Sequence, residues 1–165
     1  MRADTIVAID TAHTLHADEE IDVTGKAIAP GFINMLSWST ESLIADGRSL
    51  SEIKQGVTFE LFGEGVSMGP VNDSLRKENQ KQQGDIKYPI EWSSLKEYLL
   101  WLENRGISCN IASLIGATTV RENVLGSKNV APTPAQLEDM KKLVKQAMDD
   151  GAFGVGTSLI YAPAF

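Results

Sequence analysis

The chain has 165 residues, of which 42% are hydrophobic and 22% are charged, and its formal net charge is −7. This length fits one compact domain with a sizeable core, and the ordinary composition excludes a largely disordered chain. The acidic balance argues against a nucleic-acid-binding protein, which needs clustered lysine and arginine. The single cysteine excludes an internal disulfide.

Neither a membrane span nor a secretory signal is predicted. No apolar run approaches the roughly 18 residues that a membrane span needs. The start, Met1-Arg2-Ala3-Asp4, lacks the apolar stretch of a signal peptide. We therefore expect a soluble protein and favour the cytoplasm over the periplasm, although a natural precursor that begins further upstream would leave the compartment open.

Short strands are predicted at the start of the chain. Residues 5–9 form an apolar run with β-branched members, and residues 21–24 alternate in polarity before Gly25. Two such strands are too few for a stable sheet. We therefore interpret residues 1–26 as the remnant of a small N-terminal β domain.

From residue 27 onward, strand-like and helix-like segments alternate. Residues 27–36 are nearly continuously apolar, which is typical of a strand buried on both faces. A helix is predicted near residues 50–55, with Ser49 and Glu52 in the spacing of a capping box. Residues 57–62 are rich in β-branched and aromatic side chains and form the second predicted strand.

A long polar segment, residues 63–92, follows the second strand. A connection of this length is usually functional or partly helical. The next helix is predicted near residues 95–104, with a capping box formed by Ser94 and Glu97. Residues 109–115 form the third predicted strand.

The third helix has the clearest start in the chain. Thr133 suits the N-cap, Pro134 suits the first helical position, and Gln136 completes a capping box. The helix ends before Gly151, and residues 153–160 form a fourth strand. Strands that alternate with helices predict an α/β fold with a parallel sheet. An open sheet and a barrel both remain possible at this level, but four strands cannot close the usual eight-stranded barrel.

Several short motifs are better explained by local structure than by a catalytic or metal-binding role. His13 and His16 are the only histidines, and a catalytic zinc usually takes three protein ligands, so we interpret both as solvated loop residues. The Ser-x-x-Lys matches at Ser51 and Ser93 lack the partner motifs of acyl-transfer serine enzymes. Cys109 lies among apolar residues and is interpreted as a buried hydrophobic residue rather than a nucleophile.

The tripeptide Gly63-Glu64-Gly65 directly follows the second strand, where the active sites of barrel enzymes lie. A carboxylate between two glycines is exposed and able to approach a ligand or a cation. Glu64 is therefore the one candidate metal ligand, with a plain turn residue as the favoured alternative. No catalytic residue is assigned.

Three parts of the chain carry a family resemblance: residues 22–34, residues 51–58 and residues 151–163. They resemble the N-acyl-D-amino-acid deacylases, or D-aminoacylases, of the metal-dependent amidohydrolase superfamily. The resemblance implies that residues 27–165 form the first half of a TIM-like (β/α) barrel, with about four parallel strands and three or more helices. It also implies hydrolysis of the amide bond of N-acyl-D-amino acids by a metal-activated water.

The resemblance also locates the family's metal ligands, which usually bind zinc. The family's His-x-His, which follows an aspartate, falls on Leu36 and Trp38, and the aspartate falls on Asn34. The family's cysteine falls near Gly65, and its Gly-His falls on Gly116-Ala117. The later histidines and the catalytic aspartate would lie after the last residue.

These positions lead to two hypotheses. The first is a fragment of a deacylase-like hydrolase that binds no zinc and is inactive as this chain; its substrate within a longer protein would be a small N-acylated amino acid. The alternative is a non-catalytic α/β binding or assembly module. Neither hypothesis includes a nucleic acid or a membrane partner, and both include a homo-oligomer, because half a barrel exposes unpaired strand edges.

Overall fold

The structure is a computed structural model that describes residues 5–11 and 14–160. Contacts between residues divide the chain into two compact units, Met1–Pro30 and Gly31–Phe165. Every helix and every strand of the described residues lies in the second unit.

The strands predicted for the first unit are wrong. Neither residues 5–9 nor residues 21–24 form a strand, apart from a single bridge residue at Thr5. The segments instead make local turns, such as the one in which the Asp22 carboxylate accepts a hydrogen bond from the backbone N–H of Thr24 at 2.8 Å. Short apolar segments without a sheet of partners do not hold an extended conformation.

The second unit alternates strands and helices along the chain. Its strands are β1 (Phe32–Asn34), β2 (Val57–Phe62), β3 (Asn110–Ser113), β4 (Ile115–Gly116) and β5 (Val155–Gly156). Its helices are α1 (Thr40–Ala45), α2 (Leu50–Lys54), α3 (Asp73–Gln82), α4 (Leu95–Arg105), α5 (Ala117–Leu125) and α6 (Pro134–Asp149).

The strands form a parallel arrangement with four strand positions. β2 pairs in parallel with both β1 and β3, and β4 pairs in parallel with β5. β3 and β4 follow each other along one strand of the arrangement, separated only by Leu114, and are counted as one strand position. The Leu114 N–H donates to the Phe62 carbonyl and the Ile115 N–H donates to the Gly154 carbonyl, both at 2.8 Å. The predicted α/β class with parallel strands is confirmed.

Two of the three predicted capping boxes are confirmed. Ser94 with Glu97 opens α4, and Thr133 with Gln136 opens α6, in each case with both hydrogen bonds of the box. The box predicted at Ser49 is wrong. Its φ of +44° places the backbone in the left-handed region, and its hydroxyl makes no capping bond.

The predicted strands at the two sheet edges are too long. β1 covers three of residues 27–36, and β5 covers two of residues 153–160. The predicted burial of the first strand on both faces is also wrong, because Phe32 and Ile33 are 60% and 59% exposed. β1 has a single neighbouring strand within the described part of the chain and therefore lies at an edge of the sheet.

Three helices were not assigned from the sequence. α1 begins six residues after the end of β1, and α5 begins directly after β4. α3 lies within the long segment of residues 63–92, which was predicted to be functional or partly helical. The core of the second unit forms around Trp92, Tyr98 and Leu102, none of which is more than 1% exposed.

No helix within residues 5–11 and 14–160 combines the length and the apolar character needed to cross a membrane.

Candidate functional site

The carboxyl ends of the parallel strands lie along one edge of the sheet, because the strands run in the same direction. Ligands of barrel and open α/β enzymes bind at this edge. The segments that follow the strands here are residues 35–38 after β1, residues 63–67 after β2 and the start of α5 after β4. These three segments contain the positions at which the resemblance implies metal ligands.

The segment after β1 carries apolar side chains where the resemblance implies histidines. Leu36 is 53% exposed and Trp38 is 64% exposed. Neither side chain has a lone pair that could coordinate a metal. Asn34 makes a hydrogen bond within the same segment, because its Oδ1 accepts from the Leu36 N–H at 3.2 Å.

The turn after β2 is held by close backbone packing. Gly63 and Gly65 have φ values of +96° and +73°, which favour glycine. A Cβ at Gly63 would lie 2.1 Å from the Leu114 carbonyl oxygen, and one at Gly65 would lie 2.6 Å from Ser158 Oγ. Glu64 is half-buried between them. A side chain at Gly65, near which the resemblance implies a cysteine, would therefore require the Ser158 side chain to move and would adopt a strained positive φ.

The start of α5 packs against the same turn. Thr118 donates its N–H to the Gly65 carbonyl at 2.9 Å, and Gly116 donates its N–H to Ser67 Oγ at 2.9 Å. Ser67 is also joined to Thr119, whose Oγ1 accepts from the Ser67 N–H at 2.8 Å. The backbone N–H groups of Gly116 and Thr118, at the start of α5, are thus already hydrogen-bonded to the turn after β2. The side chain of Ala117 has no atom that could coordinate a metal.

A carboxylate lies buried beneath the segment that follows β1. Glu60, in β2, has no exposed surface. Its Oε2 accepts a 2.5 Å hydrogen bond from Ser37 Oγ, and its Oε1 has no hydrogen-bond partner among the described residues. Ser37 in turn accepts from the Ser39 N–H at 3.2 Å. The carboxylate therefore fixes the backbone that carries Leu36 and Trp38.

Two further polar groups lie next to this carboxylate. Cys109 is 3% exposed, and burial raises the pKa of its thiol above the usual 9.0, with a further contribution from the negative charge of Glu60. Ser49 is buried near the same thiol, and its hydroxyl has no partner within the described part of the chain. A raised pKa keeps the thiol protonated, which agrees with a buried structural cysteine rather than a nucleophile.

We expect the folded state to lose stability as the pH rises above about 9. Folding raises the pKa of the Cys109 thiol and of the Tyr88 and Tyr98 phenols, chiefly by burial. Above the usual values of 9.0 and 10.0, the unfolded chain therefore releases protons that the folded chain still holds. The free energy of unfolding should fall with pH in urea titrations. Cys109→Ala should remove the part of the fall near pH ~9 and keep the part near pH ~10, and a free energy of unfolding that does not change over this range would contradict the assignment.

A small cavity of about 200 Å³ lies beside residues 66–68 of the segment after β2. Tyr88 and Trp92 are stacked there, with ring centroids 6.1 Å apart, and the Tyr88 hydroxyl donates to Glu41 Oε1 at 2.8 Å. Apolar and polar side chains both line this cavity, whose volume is below the ~300–1,000 Å³ that is usual for small-molecule pockets. The cavity is lined by Glu41, Val66, Ser67, Met68, Val71, Asn79, Gln82, Gln83, Tyr88, Ile90 and Trp92.

The residues that are present do not fit the zinc site of the resembled family. Leu36, Trp38 and Ala117 lack donor atoms, and Glu64 is the only carboxylate of the turn after β2. Within residues 5–11 and 14–160 no three His, Cys, Asp or Glu side chains are grouped closely enough to hold a metal ion. His16 is instead exposed and lies 3.6 Å from Glu20, while His13 lies outside the described residues.

Sequence reasoning did not identify Glu60. The signal was a single acidic residue inside the otherwise apolar second strand, because a charged residue in a buried strand is rarely placed there without a partner. The contact between Glu41 and Tyr88 joins residues 47 positions apart in the chain, and no local pattern predicts it.

Comparisons with known proteins agree with the resemblance. The chain is 32% identical over 169 residues to an N-acyl-D-aspartate deacylase of Alcaligenes xylosoxydans xylosoxydans, which covers 99% of this chain and 33% of the relative. It is 29% identical over 168 residues to a D-aminoacylase of the same organism, covering 99% and 34%. The chain therefore spans about a third of the length of these curated relatives.

The comparison of folds also agrees with the resemblance to the deacylases. A solved structure of a D-aminoacylase, a protein with a binuclear metal centre, superimposes with a TM-score of 0.68 and 26% identity over 82% of this chain and 28% of that chain. No protein-family model matches the chain.

Proposed function

Because this chain is similar in sequence and in fold to the N-acyl-D-amino-acid deacylases, a group of amidohydrolases, we propose that it forms the first half of a (β/α) barrel of deacylase type. In this proposal the substrate class of the whole protein is N-acyl-D-amino acids, as the names of its relatives suggest. Residues 27–165 supply scaffold to that barrel and no catalytic metal ligand. The chain on its own is therefore inactive as a hydrolase.

The observation that carries this proposal is the chemistry of the ligand positions. The edge of the sheet where a deacylase would bind metal presents Leu36, Trp38 and Ala117, and the glycine turn of residues 63–65 is packed against Leu114 and Ser158. Hydrolysis of an unactivated amide needs a strong nucleophile and a group that stabilises the developing oxyanion. The described residues offer neither at this edge.

We expect the purified 165-residue chain to show no hydrolysis of N-acetyl-D-aspartate or N-acetyl-D-methionine above the rate without protein, with or without added zinc. Isothermal titration should detect no stoichiometric zinc binding. A D-aminoacylase assayed in parallel serves as the positive control. Zinc-dependent turnover would overturn the proposal.

A variant of Glu64, the one candidate metal ligand, makes the zinc-binding test more specific. If the chain binds zinc and Glu64→Gln abolishes that binding, then Glu64 is a metal ligand and the scaffold-only proposal is wrong. Glu19→Gln is the matched control, since Glu19 is an exposed carboxylate in the first unit.

A second candidate function is a non-catalytic binding or assembly module. Exposed apolar side chains favour it, among them Phe32, Trp38 and Phe153, which are 60%, 64% and 64% exposed. Such a module should gain thermal stability when its ligand or partner is added. As part of the same proposal, the chain associates with itself as a homo-oligomer.

A further inference from the structure

The cavity beside residues 66–68 is lined by one charged side chain, that of Glu41. No lysine, arginine or histidine is among the described residues that line it. Glu41 is partly buried in the first turn of α1 and forms no ion pair within the part of the chain that the structure describes. Burial removes part of the hydration of a carboxylate, so a partly buried one usually has a cationic partner. The cavity therefore carries a negative charge that these residues leave uncompensated.

The hydroxyl and indole donors that line the cavity are already used within the protein. Tyr88 donates its hydroxyl to Glu41 Oε1 at 2.8 Å, and burial together with this carboxylate raises the pKa of the phenol, which keeps it a donor. Trp92 and Ser67 donate their single side-chain protons to backbone carbonyls, both at 2.6 Å. A ligand that pairs with the carboxylate must therefore bring its own hydrogen-bond donors.

Two aromatic rings form one wall of the same cavity. Tyr88 and Trp92 are stacked, with ring centroids 6.1 Å apart and an angle of 14° between the ring planes. Gln83 fixes the backbone of Tyr88, because its amide accepts from the Tyr88 N–H at 3.3 Å and donates to the Tyr88 carbonyl at 2.8 Å. The faces of aromatic rings attract cations, most strongly where the cation is partly desolvated.

We propose that this cavity binds a small organic cation with N–H donors, such as a guanidinium or alkylammonium group. The Glu41 carboxylate is its counter-ion, and the rings of Tyr88 and Trp92 form its apolar wall. A volume of about 200 Å³ suits one functional group rather than a drug-sized molecule. An anionic group would meet a like charge and no positive partner, so the cavity selects against it. This binding is independent of hydrolysis and of the half-barrel, since residues between positions 41 and 92 alone line the cavity.

Two sources can supply such a group, namely a free small molecule and an arginine or lysine side chain of another polypeptide segment. Both would meet the same carboxylate and the same rings, so the recognition chemistry is shared. They differ in what lies outside the cavity. A polypeptide segment adds backbone contacts to those of its side chain and should therefore bind more tightly than the isolated cation.

Methylguanidinium and N-methylurea are the probes, because the two molecules have the same planar shape and differ in charge. The 165-residue chain is titrated with each probe at constant ionic strength, and binding is followed by the NMR signal of the Trp92 indole N–H. Methylguanidinium should shift this signal saturably, with a Kd in the millimolar range that is usual for so small a ligand. N-methylurea should bind at least about tenfold more weakly, because it lacks the charge that strengthens the hydrogen bond to Glu41.

A charge-removing variant tests the role of Glu41. Glu41→Gln retains an oxygen that can accept from the Tyr88 hydroxyl, so it should weaken the binding of methylguanidinium by about tenfold or more and leave that of N-methylurea unchanged. Glu138→Gln is the matched control, since Glu138 is an exposed carboxylate in α6, and it should alter neither affinity. Urea unfolding of both variants checks that they remain folded.

A short blocked peptide with a single arginine separates the two sources. Binding more than about tenfold tighter than that of methylguanidinium assigns the cavity to a side chain of a polypeptide segment, and equal or weaker binding assigns it to a free molecule. Both outcomes support a site for an organic cation. The proposal is overturned if neither probe gives a saturable shift, if the two probes bind the unaltered chain equally, or if Glu41→Gln binds methylguanidinium as tightly as the unaltered chain does.

Discussion

Replacing Trp92 with alanine is expected to lower the free energy of unfolding by about 3–5 kcal/mol. The indole is 1% exposed, and its ring lies 5.0 Å from that of Tyr98 and 5.3 Å from that of Trp101. Its Nε1–H donates to the Met68 carbonyl at 2.6 Å. The substitution removes the apolar contacts, leaves a cavity and deprives a backbone carbonyl of its donor, and these three losses add.

Urea unfolding followed by circular dichroism measures this loss, with Trp38→Ala as the matched control. Trp38 is 64% exposed, so its truncation should change the free energy of unfolding of a single copy by no more than about 0.5 kcal/mol. Measurements at low protein concentration separate this effect from any role of Trp38 in association. Equal losses for the two variants would contradict the core described here.

The elements that sequence reasoning predicted correctly have their determinants within a few residues. Ser94 with Glu97 and Thr133 with Gln136 supply hydrogen bonds to the first turn of their own helices, so neighbouring residues suffice to place both starts. β2 is likewise rich in β-branched and aromatic residues and lies between two other strands. The local preference and the tertiary environment agree in these elements.

The predictions that were wrong concern residues whose conformation depends on distant neighbours. The spacing of Ser49 and Glu52 suits a capping box, but Ser49 adopts a left-handed backbone and its side chain is buried near Cys109, 60 positions away in the sequence. The apolar run of residues 27–36 indicates a buried strand, yet burial requires a second neighbour and a cover, which no local pattern reveals.

In the candidate site, too, some features follow from the local sequence and others depend on contacts between distant residues. The resemblance of the surrounding motifs implies that Leu36, Trp38 and Ala117 stand at the family's ligand positions, and this assignment stays a prediction. The burial of Glu60 beside Ser37 is a contact between β2 and the segment after β1, and it depends on how those segments pack. The sequence therefore predicts which donors are missing, but it does not reveal the contact that stabilises the backbone of the segment after β1.

Gly116→Ala is expected to lower the free energy of unfolding by about 2 kcal/mol or more, because it inserts a methyl group into backbone rather than into a deformable side chain. The added Cβ would lie 2.6 Å from the Gly65 carbonyl oxygen and 2.7 Å from the Ser67 nitrogen. Relief would require the turn after β2 to move away from α5, which would break the bonds from Gly116 to Ser67 and from Thr118 to Gly65.

Gly84→Ala is the matched control for this substitution. Gly84 lies just after α3, and an added Cβ there would meet no atom within 4 Å. Its backbone is outside the positive-φ region, so alanine should be neutral or should stabilise the fold by up to about 1 kcal/mol through the unfolded state. Chemical unfolding of both variants measures the difference, and a Gly116→Ala variant as stable as Gly84→Ala would mean that the turn and the helix are not in contact. If the loss is found, the turn after β2 and the start of α5 are held together by backbone packed against backbone at the carboxyl edge of the sheet.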